Sequence, residues 1–161
     1  MPQANSHSST SKRPRAQSAK QAVNVEKARN KLLPAIMRDK SPIGTVQCPP
    51  NIDPLSYGVN CIGNCLSPLI VDGDIAICSP SAKAMPGMIV AFTDKAGHQG
   101  VLKRLVSDLY GENKNGNCQQ MIVVEMDNPP KRFCLDPSRI DKAHVVVGIV
   151  RRGEYIVITP G

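Results

Sequence analysis

From residue 41 onward the apolar residues fall into short runs separated by turn-forming residues. The β-prone runs are Tyr57–Ile62, Asp74–Cys78, Met88–Thr93, Gly100–Val106, Met121–Met126, His144–Arg151 and Tyr155–Thr159. Between them stand Asp72-Gly73, Pro86-Gly87, Asn115-Gly116, Asn128-Pro129-Pro130 and Arg152-Gly153. Glycine supplies positive φ, proline a fixed φ, and Asn or Asp a side chain that bonds its own turn, so such groups end strands. Short Val- and Ile-rich runs bounded in this way predict strands. Their succession predicts an all-β domain of strongly coiled sheets.

The chain before residue 41 has another pattern. Residues 1–20 are Ser, Gln, Ala and basic residues with no hydrophobic period. They offer too little apolar surface to offset the entropy of ordering and are expected to be disordered. From about 22 to 38, Val25, Ala28, Leu32 and Ile36 recur at helical spacing, a weak stripe that Pro34 interrupts. The expected organisation is a largely disordered basic tail over 1–40 containing this helical segment, then a folded domain over 41–161. Neither piece of the tail is long or apolar enough for a helix-turn-helix module.

Charge sharpens that division. The net charge is +7; residues 1–40 hold nine Lys or Arg against Glu26 and Asp39, while residues 41–161 hold eleven of each sign. The whole excess lies in the tail. There, Lys12-Arg13-Pro14-Arg15 is a candidate for weak, nonspecific nucleic-acid contact, because cations near phosphate release counterions. The plainer alternative is a solvated tail that confers solubility.

With 41% hydrophobic residues, 3% aromatics and no Trp, the core must come from Val, Ile, Leu, Met and Cys. No apolar segment of signal-peptide type opens the chain, so its six cysteines are expected to stay reduced in a cytoplasmic protein. No apolar run approaches the ~20 residues of a membrane span. Neither His98 nor His144 has metal-ligand spacing to a Cys pair. The expectation is no metal, no cofactor and no membrane. Cys78 reads as core, Cys118 and Cys134 as loop residues, and His98 and His144 as structural or solvated.

The chemistry concentrates in one loop. Gly63 and Asn64 predict a tight turn presenting Cys65, with the main-chain N–H groups of Asn64, Cys65 and Leu66 as oxyanion donors. Pro68 stiffens the exit, and Asp72-Gly73-Asp74 turns the chain into the next strand. The run Gly100–Val106 carries Lys103, whose neighbour Arg104 is expected to point to the opposite face and to take no part in the same task. A desolvated lysine favours its neutral form and can act as general base, whereas a lysine that snorkels to water has no such role.

Together these segments resemble the LexA-like branch of the LexA and signal-peptidase superfamily of Ser/Lys peptidases, which includes phage-repressor C-terminal domains and UmuD-type proteins. The resemblance covers about residues 42–153. The family loop Gly-(Asp/Asn)-Ser-Met-x-Pro is matched by Gly63-Asn64-Cys65-Leu66-Ser67-Pro68, followed by Asp72-Gly73-Asp74. Pro86-Gly87-Met88-Ile89-Val90, Val101-Leu102-Lys103-Arg104-Leu105, Asn128-Pro129 and Val146-Val147-Gly148-Ile149-Val150 match the later elements in order.

The resemblance implies a coiled β-sheet peptidase fold, with Cys65 in the nucleophile position and Lys103 as general base. Ser67, two positions along, is a weaker alternative nucleophile. Family self-cleavage acts on an upstream Ala-Gly or Cys-Gly bond; here Pro42–Pro49 follows that pattern until Pro49 stands in place of Gly, leaving Cys48-Pro49 as a vestigial cleavage site. Proline fixes φ and lacks the amide hydrogen, so this bond is a poor substrate. The leading expectation is lost or altered peptidase activity in a regulatory or partner-binding module with a protein or peptide partner, a second copy of itself being one option. The alternatives are an active Cys65/Lys103 peptidase and a nucleic-acid-associated protein acting through its tail.

Overall fold

The computed structural model describes residues 30–36, 42–96, 100–109 and 121–160. Its strands are β1 (Lys31–Ile36), β2 (Pro42–Cys48), β3 (Tyr57–Asn60), β4 (Ile75–Ser79), β5 (Ile89–Asp94), β6 (Val101–Leu105), β7 (Ile122–Asp127), β8 (Pro130–Leu135), β9 (Ile140–Arg151) and β10 (Glu154–Val157). All join one mixed sheet in the order β2-β1-β3-β4-β9-β5-β6-β7-β8, with β10 paired to β9. A single 3-10 turn at Pro137–Arg139 is the only helical element among the described residues. The domain is all-β.

The twelve-residue β9 is the spine, pairing with β4, β5 and β10. Register shifts at Ile77/Cys78 and Thr93/Asp94 insert bulges on either side of it. Such bulges bend and twist the sheet, so that it folds over its own apolar side chains. Both faces are consequently buried. Ile89 and Ala91 of β5 enter one cluster with Leu66, Ile70 and Val146, whereas Val90 and Phe92 enter another with Leu105, Val124 and Val145. Burial on both faces is why these runs are continuously apolar rather than alternating. Gly148 of β9 lies beneath Tyr155, where any side chain would overlap the Tyr155 ring.

Three segments depart from the sequence expectation. Lys31–Ile36, assigned to the tail and to its helical stripe, forms β1, pairing antiparallel with β2 and parallel with β3. Its burial alternates: Leu33 and Ala35 are buried in a third cluster with Val46, Cys48, Ile77 and Val150, while Leu32 and Pro34 face outward. Pro34 favours this outcome, since a helix interior loses a hydrogen bond and clashes at proline, whereas in β1 the pairing with β3 involves only Ala35 and Ile36 and does not reach Pro34. The folded unit therefore begins before residue 41. Pro42–Cys48, outside the expected β-prone runs, forms β2 at the sheet edge. Cys134, expected in a connection, lies within β8 opposite Val123. The Lys12–Arg15 cluster, His98, Cys118 and the Asn115-Gly116 turn lie outside the described residues.

Candidate functional site

The loop joining β3 to β4 is tied across its neck. Gly63 and Gly73 take positive φ of 85° and 83°, the conformation that lets the chain reverse twice within this loop. Gly63 N–H donates to Asp72 Oδ1 at 2.7 Å and Asp72 N–H donates to Asn64 Oδ1 at 3.0 Å. Gly73 N–H donates to the Cys61 carbonyl at 2.9 Å, and Cys61 N–H to that of Asp74 at 2.8 Å.

Asp74 is 2% exposed and accepts two bonds from Arg151 of β9, at 2.9 and 2.7 Å, and one from Val71 N–H at 2.9 Å. Burial pushes its carboxyl up, but the Arg151 guanidinium and the Val71 amide outweigh that and hold it below the usual carboxylate range. A buried carboxylate so satisfied fixes the loop to the spine of the sheet.

Cys65 is gripped from the opposite side. Asp127 N–H and Asn128 N–H both donate to its carbonyl, at 2.8 and 3.1 Å. Asp127 is in turn held by Arg104 of β6 through Nη2 at 2.7 Å and Nε at 3.3 Å, while Arg104 Nη1 reaches the Gly87 carbonyl at 3.1 Å. The hydrogen bond to Asp127 leads the effects that raise the guanidinium pKa, with burial opposing it.

Lys103 approaches from the strand itself. β6 pairs with β7 only at Arg104↔Glu125 and Leu105↔Val124, so the edge at Val101–Lys103 is open on that side. Lys103 sits opposite Val90, passes within 5.9 Å of the Phe133 ring centroid, and places Nζ 3.2 Å from Cys65 Sγ. The sulfur also lies 3.8 Å from the Leu102 carbonyl.

These groups stand in a cleft of about 440 Å³, mostly apolar, whose lining includes Cys61, Cys65, Leu102 and Lys103 together with Tyr57 and His144. Comparison with protein-family models gives no match to this chain, and comparison with curated proteins gives none either. The site is accordingly read from its own geometry. Among the described residues no group of three or more His, Cys, Asp or Glu side chains is arranged to hold a metal ion, and no helix is long and apolar enough to cross a membrane.

Of the residues singled out in the sequence, Cys65 and Lys103 meet. Asn64 turns its side chain to the loop's neck. Leu66 buries its side chain in the core and forms an isolated antiparallel bridge with Ile70, whose N–H donates to the Leu66 carbonyl at 3.0 Å. Ser67, followed by a cis bond to Pro68, does not line the cleft. Cys48 is 1% exposed at the end of β2, and neither it nor Pro49 lines the cleft. The vestigial cleavage bond and the nucleophile position are not brought together.

Two features escaped the sequence. Arg104, read as excluded from the task of Lys103, acts on the same loop through Asp127. Its adjacency to Lys103 held the signal, because the two faces of one strand that is only partly paired can both bear on a loop beside its open stretch. His144, read as structural, lines the cleft with Nδ1 2.9 Å from the Tyr57 hydroxyl and the two rings in an edge contact, centroids 5.7 Å apart. Nothing in the local sequence pairs residues 57 and 144.

Proposed function

We propose that this chain is a LexA/signal-peptidase-like protein with an altered centre, in which Cys65 and Lys103 act on a carbonyl of a peptide supplied by another molecule. The observation that carries this reading is the 3.2 Å approach of Lys103 Nζ to Cys65 Sγ in a mostly apolar cleft. A thiol is a stronger nucleophile than a hydroxyl near neutral pH and asks less of its base. Sulfur attacks the peptide carbonyl while Lys103 receives the thiol proton. That proton passes to the departing amine and leaves a thioester on Cys65. Water, giving a proton to Lys103, then releases the acid and restores the thiol. The N–H groups of Asn64, Cys65 and Leu66 are the loop's oxyanion candidates.

The burial of Cys48 in β2 and the proline at 49 argue for a substrate in trans rather than the chain's own bond. A reducing, cytoplasmic setting belongs to the same reading, since a nucleophilic thiol must stay reduced; the five cysteines among the described residues are all free. A second reading, a silent partner-binding cleft, is favoured by the Leu102 carbonyl 3.8 Å from the sulfur, where a resting S–H can donate.

Site-resolved alkylation separates the two. Cys65 is expected to react with iodoacetamide faster than the more exposed Cys134, and Lys103→Ala to slow Cys65 by at least about 10-fold. If Cys65 reacts no faster than Cys134 and ignores the loss of Lys103, the nucleophile reading is wrong and the silent cleft stands.

A further inference from the structure

The lining of the cleft carries a polar pair that the dyad does not use. Tyr57 comes from β3 and His144 from β9, and their side chains meet at 2.9 Å. Burial pushes the Tyr57 phenol up, with a smaller push from Cys78 opposite it on β4, so the hydroxyl keeps its proton and is able to donate. Burial, and then Lys142, pull His144 down, with Asp141 opposing, so the imidazole is neutral at pH 7. A neutral imidazole whose Nδ1 accepts from Tyr57 must carry its hydrogen on Nε2. In that tautomer Nε2–H has no partner among the described residues, and it belongs to a side chain that lines the cleft.

Charge points the same way. The described lining includes Lys103, Lys142 and His144 and contains no Asp or Glu. The rest is mainly aliphatic, with Val59, Ile62 and Ile70 among it. Such a surface favours a ligand with apolar side chains and one anionic acceptor.

The register sets the distance. Ala91 of β5 pairs with Leu102 on one side and His144 on the other, so the three share a face across three adjacent strands. Two strand spacings put His144 about 10 Å across the sheet from Leu102, whose carbonyl adjoins the Cys65 sulfur. An extended peptide covers that span in about three residues.

We propose that Tyr57 and His144, with Lys142, form a specificity subsite for a carboxylate placed about three residues from the carbonyl presented to Cys65. His144 reads the carboxylate through Nε2–H, Tyr57 fixes the tautomer, and Lys142 supplies charge at the rim. This subsite deepens the nucleophile reading above but can be measured apart from it.

The probes are apolar tetrapeptide chloroacetamides of three kinds: Glu with a blocked C-terminus, Gln with a blocked C-terminus, and Gln with a free C-terminal carboxylate. Intact mass follows labelling of Cys65, and calorimetry on Cys65→Ala follows binding of the parent peptides. The Glu probe is expected to label and bind at least about 10-fold better than blocked Gln, as for one charge-assisted hydrogen bond. His144→Leu and Tyr57→Phe should reduce that ratio towards one while leaving the iodoacetamide rate of Cys65 unchanged. A preference for the free C-terminus over the Glu side chain would identify a terminal carboxylate as the group read. Equal behaviour of all three probes, or a ratio that persists in both variants, would overturn the subsite. Glu-selective binding without any labelling would keep the subsite and reject the nucleophile.

Discussion

Cys65 is held by contacts that arrive from β6 and from the end of β7, and the consequence is clearest at Arg104. Its guanidinium bonds Asp127, whose N–H bonds the Cys65 carbonyl, so Arg104 is a positioning residue for the sulfur it does not touch. Arg104→Ala should slow iodoacetamide labelling of Cys65 by on the order of 10-fold, since small displacements of a reacting group are costly. It should also lower stability by about 1–3 kcal/mol, the usual effect of leaving a partly buried charged partner without its bond. Arg104→Lys should recover stability better than reactivity, because an ammonium cannot reproduce the fork that spans Asp127 and Gly87. Equal reactivity of all three proteins would show that the loop needs no such support.

Among the strands, β1 shows what local pattern conceals. Val25, Ala28, Leu32 and Ile36 fit a helical period, yet Lys31–Ile36 is a strand whose alternation rests on only Leu33 and Ala35. Six residues are too few for a period of two to outweigh a longer, weaker period of about four. The neighbours in β2 and β3 decided it by burying Leu33 to 1% while Leu32 stays 60% exposed. Leu33→Ala should therefore cost about 2–5 kcal/mol in urea unfolding, and Leu32→Ala within about 0.5 kcal/mol of nothing. Similar losses at both positions would contradict the strand. By contrast β4, β5, β6, β7 and β10 were legible to within a few residues, because apolar runs and Gly or Pro turns bound them on both sides.

For the whole molecule, the shifted groups define a window of stability. As pH falls below 6.5, His144 in the unfolded chain takes a proton that the folded chain resists, so stability declines from there. Asp53, held at about 2 chiefly by its bond from the Ser79 hydroxyl, and Asp74, held low by Arg151, add a second loss as pH falls below 3.8. On the alkaline side the order reverses: burial raises Cys48, Cys78 and Tyr57, so their stabilisation is present at neutral pH and lost above about 9 to 10. Thermal unfolding should show a plateau between about pH 6.5 and 9 with shoulders on both sides. His144→Asn should remove the first acid shoulder; a shoulder that remains would assign it to another group.

The sequence alone determined the all-β class, most strand positions, the loop that presents Cys65 and the strand that carries Lys103. These depend on local steric preferences and hydrophobic periods, which the chain displays in order. Tertiary structure decided that Lys103 reaches Cys65, that Arg104 supports the same loop, that Cys48 is walled off in β2, and that Tyr57 and His144 share the cleft. Each joins residues brought together by register, bulges and sheet curvature, which depend on the packing of all the strands together.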